Sequence, residues 1–131
     1  MKKVFGLITS ILLQPKAYPT EALLQSDCFA FWSTHYRRRS LLFAVANGGT
    51  RDKREAVQLK AQGVTAGVSD LVLMLPFGRS VFIEMKNGKQ PLRDVQQQFK
   101  AKATYLGHDT REAYSFEDFC AILADVMPPD L

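Results

Sequence analysis

Two apolar runs, residues 71–75 and 81–83, meet across Pro76-Phe77-Gly78, and their outer ends carry Asp70 on one side and Glu84-Met85-Lys86 on the other. The intervening triplet suits a three-residue hairpin loop, a type I turn closed by a left-handed residue, with Pro first and Gly last. That loop pairs Leu75 with Arg79 and sets Asp70 opposite Glu84. A loop one residue longer would send Asp70 to the other face. Side chains alternate along a strand, so Glu84 and Lys86 share a face and Met85 takes the other. Two carboxylates and an amine then meet on an otherwise apolar hairpin. Such a cluster is costly unless neutralised, because like charges repel and a buried carboxylate prefers its proton. A divalent cation resolves the conflict, and hard oxygen donors suit Mg²⁺.

The rest of the chain supplies an α/β frame. Thr20 caps a helix predicted over residues 21–35, with Leu24, Cys28 and Phe31 on its apolar side. Residues 40–46 read as a buried strand ended by Asn47-Gly48-Gly49, and residues 51–62 as a polar helix stopped by Gly63. Strands follow at 70–75 and 80–86. A helix starts at Pro91 and runs to Leu106, with Gly107 beyond its end. A short strand at residues 111–114 and an amphipathic helix at 115–126, opened by Ser115 and Asp118, complete the order α-β-α-β-β-α-(β)-α. Trp32 and Phe31 read as core. His35 and His108 read as surface histidines.

With 131 residues the chain is long enough for one domain with its own core. Residues 1–18 form an apolar N-terminal segment, a candidate dimer contact, ahead of a single domain over 19–131. Residues 4–13 are too short to cross a membrane, and no small-residue cleavage site follows them, so no membrane role is expected. Cys28 and Cys120 lie in apolar helical patterns, which points to buried free thiols and a cytoplasmic setting. Charge is unevenly spread: residues 37–102 hold 13 basic against 5 acidic side chains, and residues 103–131 hold 1 against 6. The middle of the chain is therefore the candidate polyanion-facing part, with ordinary solvated charge as the other reading.

An isolated Glu-x-Lys is a weak signal, but here it has company. Thr20-Glu21-Ala22-Leu23-Leu24-Gln25, Ala46-Asn47-Gly48-Gly49-Thr50-Arg51, and the run from Leu59-Lys60-Ala61-Gln62-Gly63 through Val64-Thr65-Ala66-Gly67-Val68-Ser69-Asp70-Leu71 precede Ile83-Glu84-Met85-Lys86 and Gln96-Gln97-Gln98-Phe99. In order and spacing this resembles the VRR-NUC family of the PD-(D/E)xK nuclease superfamily, over residues 20–119. One departure is Ser69, where the family commonly has Pro.

The resemblance implies a restriction-endonuclease-like PD-(D/E)xK core, a mixed central sheet flanked by helices, and a metal-dependent endodeoxyribonuclease using Mg²⁺ or Mn²⁺. By it, Asp70 and Glu84 bind the metal with the Met85 carbonyl, Lys86 is the catalytic lysine, Glu21 approaches from the first helix, and Gln96 sits beside the lysine. Glu21 has a second reading as a complement to the helix dipole. Among the three glutamines, Gln96 is preferred on its distance to Phe99 and Gly107. Arg37, Arg38, Arg39, Asn47, Arg51, Lys53, Arg54 and Lys60 are the candidate DNA contacts. The expected substrate is branched DNA, cut in the manner of a Holliday-junction resolvase by a homodimer. Alternatives are a nicking, flap or unselective nuclease, and a non-catalytic DNA-binding module.

Overall fold

The computed structural model describes residues 17–46 and 52–129. Four helices and four strands follow in the order α1 (Glu21–His35), β1 (Leu41–Ala44), α2 (Lys53–Ala61), β2 (Leu71–Met74), β3 (Ser80–Met85), α3 (Asp94–Tyr105), β4 (Asp109–Ala113) and α4 (Phe116–Val126). The strands make one sheet in the order β1-β2-β3-β4. The first two pairings are antiparallel, and β4 joins β3 in parallel after the α3 crossover.

The hairpin register is the expected one. Leu71 pairs with Ile83 and Met74 with Ser80, and the Leu75 N–H donates to Arg79 O at 2.8 Å. The turn itself differs from a type I turn with one left-handed residue. Both Phe77 (φ 65°) and Gly78 (φ 75°) are left-handed. Loop length, not turn type, sets the register. Phe77 can hold the strained conformation because its ring is in solvent, where no packing contact competes.

The apolar core lies on one side of the sheet. Leu42, Leu71, Leu73, Val81, Ile83, Met85 and Ala113 meet Leu24, Cys28 and Trp32 of α1 and Phe119, Ile122, Leu123 and Val126 of α4. The α1 residues recur every four positions, which places them on one stripe. Burying each large side chain contributes roughly 1.5–3 kcal/mol. Trp32 settles its indole N–H on Ser40 Oγ at 2.9 Å. Helix α4 is capped by Ser115, whose Oγ accepts from the Asp118 N–H at 3.0 Å.

Helix α3 packs on the opposite side, where Phe99 meets Phe82 edge-on with centroids 5.8 Å apart. It starts at Asp94, three residues after Pro91, because Gln96 caps it: the Arg93 N–H donates to Gln96 Oε1 at 2.8 Å. It ends as expected at Gly107 (φ 91°), with the His108 N–H on Ala103 O. His35 and His108 are exposed and Phe31 half-buried; Cys28 is buried, whereas Cys120 is only partly so. Among the described residues, no helix is long and apolar enough to cross a membrane. The expected N-terminal contact segment falls almost wholly outside the described residues.

Candidate active site

Four of the expected site residues converge where β2 begins and β3 ends. Asp70 lies opposite Glu84, and its Oδ2 accepts from the Met85 N–H at 2.8 Å. This bond holds the carboxylate across the ladder. Glu84, Lys86 and Gln96 are only 6%, 5% and 8% exposed, so charge and amide alike are withdrawn from bulk water. Gln96 Nε2 donates to Glu84 Oε1 at 2.6 Å. One amide thus serves two purposes, capping α3 through its oxygen and orienting Glu84 through its nitrogen. Gln97 and Gln98 are exposed, and Gln97 bonds only to Leu92 O.

Glu84 carries the strongest electrostatic signature. Its carboxyl is pushed up to about 8. Burial is the main cause, followed by the charge of Asp70 and a hydrogen bond between the two acids; Glu21 adds to the rise and Lys86 opposes it. A cation between Asp70 and Glu84 would reverse each of the raising effects except burial. Among the described residues no three His, Cys, Asp or Glu side chains form a metal cluster. Asp70 and Glu84 form a facing carboxylate pair, a donor type that suits an ion keeping most of its waters and taking one or two acidic ligands. The Met85 side chain faces the core, as strand alternation requires.

Glu21 reaches the same cleft through a chain of local bonds. Asn87 Nδ2 donates to Tyr18 O at 2.8 Å, and the Tyr18 hydroxyl donates to Asp27 at 2.7 Å. These contacts tie the start of α1 to the loop after Lys86. Glu21, Asp70, Lys86, Arg93 and Gln96 consequently line one cleft of about 480 Å³.

The expected DNA contacts separate into groups. Lys60 lines a groove beside Asp70, and Lys53 and Arg54 lie on the same helix, in its first turn. Arg37, Arg38 and Arg39 follow the far end of α1; its 15 residues span about 22 Å, so the structure does not bring them to the centre. Arg39 Nη1 donates to Pro128 O at 2.9 Å. Asn47 and Arg51 lie outside the described residues. Arg93 was not singled out from the sequence, yet it lines both the cleft and the groove. No motif marks it, although a cation just ahead of the helix that follows β3 is a signal of the right kind.

No family model and no curated protein matches the sequence. Two solved structures do match the chain. One, a VRR_NUC domain, is 16% identical with a TM-score of 0.59 over 81% of this chain and 96% of its own. The other, a VRR_NUC domain protein, is 17% identical with a TM-score of 0.66 over 84% of this chain and 89% of its own. The sheet order, the flanking helices and these alignments agree: the chain has the VRR-NUC domain fold.

Proposed function

We propose that the protein is a divalent-metal-dependent endonuclease that hydrolyses phosphodiester bonds in DNA, with a preference for branched structures. The observation that carries this is the convergence of Asp70, Glu84, Lys86 and Gln96 at one end of the sheet, with a carboxylate raised by its burial and then by its acidic neighbour. Asp70 and Glu84, with the Met85 carbonyl and Glu21 as further oxygen donors, would hold Mg²⁺ or Mn²⁺. When bound, such an ion lowers the pKa of water and offsets charge on a scissile phosphate.

The chain's own groups do the rest. Lys86 supplies a positive charge in a water-poor setting, where it orients the attacking water and stabilises charge growing on the phosphate oxygens. Gln96 holds Glu84 in one orientation, and the Met85 N–H holds Asp70. Arg93 and Lys60 take neighbouring phosphates. Water attacks phosphorus and releases a proton to solvent as one P–O ester bond breaks, and the leaving alkoxide takes a proton from solvent. A homodimer would carry two such centres related by a twofold axis, the arrangement needed for symmetric cuts in a four-way junction.

The test is cleavage of a labelled four-way junction beside a linear duplex of matched sequence, in Mg²⁺, Mn²⁺ or EDTA. Paired cuts in the junction are expected with metal only. Lys86→Ala and Asp70→Asn should each slow them at least about 100-fold while junction affinity stays within about threefold. Equal cutting of both DNAs removes the branched preference. Cutting that survives EDTA or Lys86→Ala overturns the mechanism.

A further inference from the structure

Next to the cleft runs a second and larger depression of about 610 Å³. Ala56 and Leu59 of α2 form one wall, Val64 and Val68 the floor, and Val95 of α3 the other wall. The volume is typical of a small-ligand site, which is commonly about 300–1,000 Å³. Helix α2 carries no buried residue, and its Ala56 and Leu59 line this space instead of a core. Two cations, Lys60 and Arg93, stand at the groove, and Asp70 and Gln96 belong to it as well as to the metal centre. An apolar slot with positive charge beside it, opening onto a phosphodiester-cleaving centre, matches one chemistry: a flat base flanked by phosphates.

We infer that this groove holds an unstacked nucleobase of the strand being cut, so the preferred substrate has an unpaired nucleotide beside the scissile phosphate. This rests on the proposed function and narrows its substrate. A base inside a duplex cannot enter without unstacking, which costs a few kcal/mol and least where pairing is already lost. Preference for unpaired positions follows from that difference. Base identity should count for little. The Thr65 hydroxyl already donates to Gly63 O and the Gln96 amide bonds Glu84 and Arg93, which leaves the groove few side-chain groups to read a base edge.

The groove is also fixed in place. Gly67 has φ +84°, and a Cβ there would lie 2.1 Å from Val95 O. The backbone of the floor therefore rests directly on the start of α3, three residues before Asp70. A base seated in the groove would hold its phosphate in a set relation to the carboxylates.

The experiment reads binding, separately from cutting. Lys86→Ala protein is titrated in Mg²⁺ with a duplex carrying one unpaired 2-aminopurine, and with the same duplex fully paired. Affinity about tenfold tighter for the unpaired duplex, with a change in aminopurine fluorescence, is expected. Ala56→Trp on the same background fills the groove from an exposed helix position and should bring the two affinities together. Val64→Trp repeats the test from the floor. Equal affinity for the two duplexes, no binding to either, or an undiminished preference in both tryptophan variants overturns the inference. A protein that cuts junctions but binds both duplexes alike keeps the nuclease and loses the groove. One that seats the aminopurine without ever cutting loses the nuclease and keeps the groove.

Discussion

On one face of β3, Val81, Ile83 and Met85 sit in an apolar cluster with α1 and α4; on the other, Glu84 and Lys86 are almost as deeply buried and meet Asp70 and Gln96. The two faces differ little in access to water and greatly in what the burial accomplishes. Apolar atoms gain by leaving water. Charges lose by it, and recover the loss only through partners. The same stretch thus contributes to stability at Val81, Ile83 and Met85 and gives stability up at Glu84 and Lys86. A side of a sheet that is buried and still charged is arranged for something other than holding the fold.

Breaking the two faces separately should make the contrast measurable. Ile83→Ala removes core volume and should cost about 3 kcal/mol in urea unfolding. Replacing Glu84 and Lys86 together by Gln and Met keeps the volume, removes both charges, and should be neutral or stabilising by up to about 2 kcal/mol. A loss of 3 kcal/mol from the double replacement would mean that the polar face also holds the fold.

Acidity sharpens the comparison. Glu84 holds its proton more tightly in the folded chain than unfolded, so its protonated form favours the fold. Its contribution is full below about pH 4.5 and is lost as pH rises through about 8. In EDTA, the melting temperature of the wild type should therefore fall relative to Glu84→Gln between pH 5 and pH 9, by a few degrees, equivalent to about 1 kcal/mol. Saturating Mg²⁺ should remove the gap by favouring the ionised form. A gap that is independent of pH would place the cost of Glu84 elsewhere.

The smallest effect belongs to the turn that sets the register of both faces. Phe77 holds φ 65° with its ring in solvent. Phe77→Gly should stabilise by about 0.5 kcal/mol, relief of left-handed strain being partly cancelled by glycine's greater chain entropy. A loss of stability would show that the ring has a partner.

What could be read from the residues was whatever depends on local periodicity. A three-residue loop and strand alternation were enough to set Asp70 against Glu84, and apolar spacing was enough to place α1 and α4. The first turn of α3 escaped because proline at residue 91 is a general signal, whereas the side chain that caps the helix also serves Glu84, and such double duty leaves no mark in spacing. The arginines at 37–39 were candidate DNA contacts because charge can be counted along the chain; their distance from Asp70 and Glu84 could not be. Arg93 was missed for the converse reason, being a single cation brought in by a loop. The left-handed Phe77 went unforeseen because nothing in its side chain favours that backbone.

The Lys86 N–H donates to Ala113 O at 2.9 Å, so the backbone at Lys86 is anchored by β4, the last strand to be made. Every side chain assigned to the reaction is already present by residue 96. The strand that secures Lys86 comes later, and its parallel pairing must wait for the whole of α3 to cross over, the kind of distant contact that forms slowly. During synthesis the chain thus exposes its reactive groups well before it can align them. If the chain cuts DNA as proposed, its site is aligned only when the fourth strand docks.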